Sequence, residues 1–310
     1  MPGSDRIKER QKMNKIRMTA NKDTNYVFHM LSVARCGYDN AYGEHYRKFY
    51  PEEDINIIKE NEELLTVCGG QHCGELYGCM VAGPAGGKIS AKEYYSDLIS
   101  MVENGQTPED FLKFGPPDNG RSLADFQQYA ETVRRISAVM VRHYDHYIQE
   151  IWPEEEKKIQ AHISRVLPAF EEKGFTEKAE ELVGCGLPGD SFTATMVTSV
   201  AYGAEAIDIS DEQDVFGIER DPVDAFYFIG HEFIIYLLLR ALKDENAFRS
   251  FETWGLTEGL AEYYLKKIMG DVRFFDGQRK YAERYEQWEE EGKRTAAELY
   301  RMGLQAEGIG

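Results

Sequence analysis

Two segments hold the side chains that are hardest to explain as packing alone. The first is Phe228-Ile229-Gly230-His231-Glu232-Phe233-Ile234-Ile235-Tyr236-Leu237-Leu238, which puts one imidazole and one carboxylate into an otherwise apolar run. The second is Trp254-Gly255-Leu256-Thr257-Glu258-Gly259-Leu260-Ala261-Glu262-Tyr263-Tyr264, with two carboxylates four residues apart. On a helix, residues at i and i+4 lie one above the other. Glu258 and Glu262 therefore share a face, as do Tyr227, His231 and Ile235. A lone His-Glu pair in an apolar helix is most often a satisfied core pair. The second segment makes it a candidate site.

Together the two segments resemble the gluzincin branch of the zincin metallopeptidases, the broad peptidase MA-like group. There, a helix reading His-Glu-x-x-His is followed some twenty residues on by a second helix with a Glu-Gly-x-Ala-Glu-Tyr run. Two imidazoles at i and i+4 can share one Zn²⁺, and the Glu beside the first faces the metal-bound water. A carboxylate from the second helix completes the protein ligands. The resemblance thus implies His231 and Glu258 as metal ligands and Glu232 as general base, with Glu262 and Tyr227 as accessory candidates. The departure is Ile235, which stands where the second His belongs and cannot bind metal. The implied function is a zincin-like protein with a degenerate motif, a catalytically impaired metallopeptidase homologue that binds a peptide or partner in its cleft. The alternative is an active metal-dependent hydrolase of peptides or small amides, with zinc held by His231, Glu258 and a non-standard ligand. Ser191–Tyr202 would offer an edge strand for a bound peptide to extend.

Other chemistry-bearing groups read more simply. Cys68, Cys73 and Cys79 with His72 are spaced by four and five residues, wider than structural zinc sites favour, so buried free thiols are expected. His143 and His146 fall partly off the apolar face of their helix and read as solvated or interface histidines, with a replacement-ligand role conceivable. Arg35 to Glu44 is a polar, aromatic loop that either lines a pocket or packs a corner.

The elements that must position these residues follow from periodicity. Helical stripes run through Asn25–Ala34, from Pro51 to about Leu65, and over Lys92–Glu103. A long stripe steps through Leu123, Phe126, Tyr129, Val133, Ile136, Met140, Tyr144, Tyr147 and Ile151 at intervals of three or four. Ser122 caps it after the Gly115–Gly120 breaker, and Pro153 starts another helix ending near Gly174. Thr66–Ala85 reads as strand, loop and strand. Ser191–Tyr202 is the best strand, Ala206–Ile209 a second. Asp221-Pro222 opens the helix of the first motif, and a helix from about Thr257 to Met269 carries the second. The expected fold is α+β and predominantly helical: a basic leader at 1–22, possible fraying included, a mostly helical portion at 23–184, and a zincin-like core with a small sheet at 185–310.

Composition bounds the partners. The 310 residues include 19 Tyr, 16 Phe and 3 Trp, ample material for a core, and a formal charge of −18. Residues 151–310 carry 18 basic against 32 acidic side chains. Such a field disfavours nucleic acid and anionic membrane surfaces, leaving a peptide, a small amide or a protein as partner. No run of about 18 uncharged apolar residues is present; Phe226–Leu239 is interrupted by His231 and Glu232. Five cysteines and no signal-peptide pattern point to a cytoplasmic setting with reduced thiols.

Overall fold

The computed structural model describes residues 15–37, 40–65, 67–68, 72–104, 124–187, 189–200, 207–210, 212–218, 221–245, 251–270, 279–292 and 294–309. The architecture is α+β and predominantly helical. The chain divides into two compact units that alternate along the sequence. Unit 1 takes residues up to 17, 164–193 and 222 onward; unit 2 takes 18–163 and 194–221.

Unit 2 is built around α1 (Lys22–Val33). Every residue from Thr24 to Val33 is buried, so this helix is central and not half-solvated. Its polar side chains are tolerated because each has a partner. Thr24 Oγ1 donates to the Ala85 carbonyl at 2.6 Å, Asn25 Nδ2 to Met196 at 3.0 Å, and Ser32 Oγ to Ser199 at 2.6 Å. Asn21 caps the helix through the amides of Asp23 and Thr24. Residues Ile16–Ala20, expected in the leader, form strand β1. Then come α2 (Ala41–Arg47), α3 (Glu52–Lys59) and a single turn, α4 (Glu62–Leu65).

The Thr66–Ala85 segment departs from its expected form. Val67–Cys68 and His72–Cys73 pair as antiparallel β2 and β3, but Gly78–Ala82 is a π-helical turn running into α5 (Gly83–Gly86). Gly83 lets the backbone approach Tyr94, whose hydroxyl would lie 2.3 Å from a Cβ there. Next, α6 (Ala91–Glu103) starts on a Ser90 cap. The long stripe is realised in α7 (Ala124–His146) and the turn that follows it, where Val133, Ile136, Met140, Tyr144, Tyr147 and Ile151 are all buried. The 115–120 breaker and Ser122 lie outside the described residues. No break precedes Pro153: a π turn at Tyr147–Ile151 leads straight into α8 (Trp152–Lys173). The proline falls in the first turn after it, where its missing N–H matters least.

The larger sheet contains β4 (Phe192–Val197), β5 (Ile207–Ser210) and β6 (Gln213–Gly217) in the order β1-β4-β6-β5, with β5 and β6 antiparallel. This corrects the expectation of an open edge at Ser191–Tyr202. β4 lies between β1 and β6, both its edges are occupied, and a peptide cannot add there. Gly217 is needed at the sheet's end, since a Cβ would lie 2.0 Å from the Val200 carbonyl oxygen.

Unit 1 packs α9 (Phe175–Val183), α10 (Pro222–Ala241), α11 (Phe251–Met269), α12 (Arg279–Glu290) and α13 (Ala296–Glu307). Gly174 and Gly184, both at positive φ, bracket α9. α10 is long and apolar enough to cross a membrane by length and composition. Most of its residues from Ala225 to Leu238 are buried, with Tyr227, Glu232 and Tyr236 half-buried.

Candidate functional site

Two close approaches position the motif helices of unit 1, one between them and one against α12. On α10, a Cβ on Gly230 would meet the Phe175 ring at 2.8 Å and Leu265 of α11 at 3.3 Å. On α11, a Cβ on Gly259 would fall 2.4 Å from Tyr281 Cβ of α12. Both motif glycines are therefore packing requirements, one beside His231 and one beside Glu258. Leu256, Leu260, Ala261 and Leu265 bury the other face of α11. The helix begins at Phe251, six residues before the expected start, so Trp254 lies within it and is 39% exposed.

His231 points from α10 toward α11, and both its ring nitrogens meet carboxylates. Nε2 is 2.8 Å from Glu258 Oε2 in a hydrogen bond. Nδ1 is 2.9 Å from Glu262 Oε1, an ion-pair contact off the ideal hydrogen-bond line. The imidazole is buried; the Glu262 side chain is 1% exposed and that of Glu258 12%. Glu262 Oε2 finds no hydrogen-bond partner among the described residues. Burial works against the imidazolium, but the bond and charge of Glu258, the contact with Glu262 and the charge of Glu232 outweigh it. The His231 pKa is held well above its usual value by these carboxylates.

The geometry separates the two glutamates. Ring nitrogens diverge, so Glu258 and Glu262 lie on opposite edges of the imidazole and only Glu258 shares a point with Nε2. Ile235, one turn on, is 4% exposed. Glu232 and Tyr227 are half-buried. Among the described residues, no group of three or more His, Cys, Asp or Glu is placed to hold a metal. His143 is not a spare ligand, nor is it solvated. It is buried in unit 2, with Nε2 2.7 Å from Asp54 Oδ2, while Arg142 holds Asp54 Oδ1 at 2.5 Å. His146 is exposed. Cys36, Cys79 and Cys185 are free thiols, and burial pushes the Cys79 thiol up to about 12. The side chains of Cys68, His72 and Cys73 lie outside the described residues.

No family model, no curated protein and no solved structure matches this chain. Sequence reasoning missed a second polar cluster, in unit 2, around His29, Tyr42, Tyr50 and Glu155. Its only signal along the chain was the polar, aromatic loop at 35–44.

Proposed function

We propose that this chain is a cytoplasmic zincin-like protein of the gluzincin type in which an ion triad has replaced the metal, and that it binds a peptide or protein partner without hydrolysing it. One observation supports this best: a buried imidazole clamped between Glu258 and Glu262, with Ile235 packed where a further imidazole would be needed. The residues present do not fit a hydrolytic zinc centre. Such a centre needs three protein donors around one point, and among the described residues one nitrogen and one carboxylate face it. No hydrolytic step is therefore assigned to Glu232.

One feature favours the second reading, a metal-dependent hydrolase of peptides or small amides. A ligating His commonly has its other nitrogen oriented by a carboxylate, and Glu262 occupies that position while Nε2 faces Glu258. Elemental analysis of protein purified without chelators separates the two. The expected result is no stoichiometric zinc and no cleavage of a peptide library. About one zinc per chain, lost on His231→Ala, overturns the binding reading.

A further inference from the structure

Unit 2 holds a second set of buried titratable side chains, none belonging to the His231 site. His29, in the middle of α1, is fully enclosed, and both its nitrogens are engaged. Nδ1 is 2.6 Å from Tyr42 Oη and Nε2 2.7 Å from Tyr50 Oη. Tyr42 Oη also donates to Glu155 Oε1, and Tyr147 Oη donates to Glu155 Oε2 at 2.6 Å. Glu155 is 1% exposed.

The direction of each bond follows from counting protons. An ionised carboxylate only accepts, so Tyr42 and Tyr147 both donate to it. The one proton of Tyr42 is then committed, and its oxygen must accept from His29 Nδ1–H. Burial, with the nearby charges of His146 and His143, lowers the His29 pKa to about 3, so the ring is neutral and has a single N–H. Nε2 therefore accepts from Tyr50 O–H. All four groups point one way, from Tyr50 through His29 and Tyr42 to Glu155.

We propose that this chain of bonds is a proton-uptake site, in which Glu155 binds the proton and the relay from Tyr50 delivers it. The balance is simple. A proton from solvent joins Tyr50 Oη as that oxygen's own proton passes to His29 Nε2. The Nδ1 proton passes to Tyr42 Oη, and the Tyr42 proton passes to Glu155 Oε1. Four O–H or N–H bonds form and three break, nothing is oxidised, and the net change is one proton gained at Glu155. Every bond in the relay then points the opposite way, and His29 has changed from the Nδ1–H to the Nε2–H tautomer.

The surroundings suit that role. Tyr50 is nearly buried, but its ring lies 5.0 Å from that of His143 and 6.0 Å from that of the exposed His146. Burial raises the Glu155 pKa, and this outweighs the bonds from Tyr147 and Tyr42, the Thr198 hydroxyl and the charge of Lys158, which lower it. Tyr46 also faces the cluster, and Asp54 with Arg142 balances His143. Tyr42 is held in line by its own helix. Asn40 caps α2 at Gly43 N and donates to the Ser199 carbonyl. A Cβ on Gly43 would lie 2.2 Å from the Ser32 carbonyl oxygen, so α2 lies directly against α1.

The test is nitrogen-15 NMR of His29 in the full chain between about pH 4.5 and 8, alongside the Glu155 side-chain carbon signal. The expected result is the Nδ1–H tautomer at high pH, converting to Nε2–H as Glu155 takes its proton, with one shared midpoint. Glu155→Gln should leave one tautomer at every pH. Tyr42→Phe should leave Glu155 titrating while His29 no longer responds, which keeps the test open where the Gln variant folds poorly. A single His29 tautomer throughout, an imidazolium in that range, or a Glu155 that does not titrate there overturns the relay.

Discussion

Replacing His231 by Ala removes the only cation of the unit 1 triad and leaves two carboxylates facing an empty site. With charge centres about 4 Å apart and an effective dielectric of about 20, each pair is attracted by about 4 kcal/mol. Desolvation of the three groups takes back much of this, and removing one partner of such a buried set costs about 3–5 kcal/mol net. The sign with pH follows from linkage. The folded pKa of His231 is raised, so its stabilisation is fully present below the unfolded value, about 6.5, and is lost as pH climbs through the folded value. Urea unfolding of wild type and His231→Ala should therefore differ most just below about pH 6.5, and the gap should narrow as pH rises through neutrality into alkali. His231→Gln keeps a donor to one carboxylate and should cost less, about 1–3 kcal/mol. Direct NMR titration is the sharper assay: both ring nitrogens should stay protonated at pH 7.5. A His231 pKa at or below 6.5, or an alanine penalty that does not change with pH, would refute the ion-triad account.

Ile235→His should create a zinc site of about one ion per chain, since Glu258 and the Glu262-oriented imidazole are in place, and Glu258→Gln on that background should abolish it by elemental analysis. Before metal is added, the buried polar ring should cost about 1–3 kcal/mol in urea unfolding. Gly259→Ala should destabilise unit 1 by about 1–3 kcal/mol, because its methyl group would overlap Tyr281 Cβ; an unchanged urea midpoint would contradict that packing. The lowered pKa of His29, about 3, makes unit 2 acid-sensitive. Its contribution is complete above about pH 6.5 and is lost as pH falls toward 3, by about 2 kcal/mol at pH 5 at 1.36 kcal/mol per unit. His29→Gln should remove that slope from the urea midpoints measured between pH 7 and 5.

Along the chain, helices were legible wherever one face is apolar and the other is not. The stripe from Val133 to Ile151 is buried as its spacing requires, because a period of three to four residues can satisfy only a helix. Pro153 misled the reading, since a π turn just before it absorbs the proline and the helix runs on. β6 and α9 were missed. Each is short, and β6 pairs on one side with its hairpin neighbour β5 and on the other with the sequence-distant β4. The edge assigned to Ser191–Tyr202 was also beyond local pattern, because the strand that covers it comes from residues 16–20.

At the site, the resemblance of the two segments to the gluzincin motif implied that His231 and Glu258, with Glu262 as an accessory, belong to one group, and residue type alone showed that Ile235 removes a donor from it. Helix periodicity sets which side chains share a face, and that much is local. Which nitrogen of His231 each carboxylate meets was decided by the packing of α10 against α11, where Gly230 admits Leu265. Burial in that contact excludes water, so the charge on the imidazole depends on its two neighbours and not on solvent. The same holds for His29. Its place on a helix could be read from the sequence, whereas its tyrosine partners and the glutamate behind them come from α2, the segment before α3, and α8. Only a folded chain brings such distant residues within hydrogen-bond reach, because the chain entropy that separates them is overcome by the burial of the whole core.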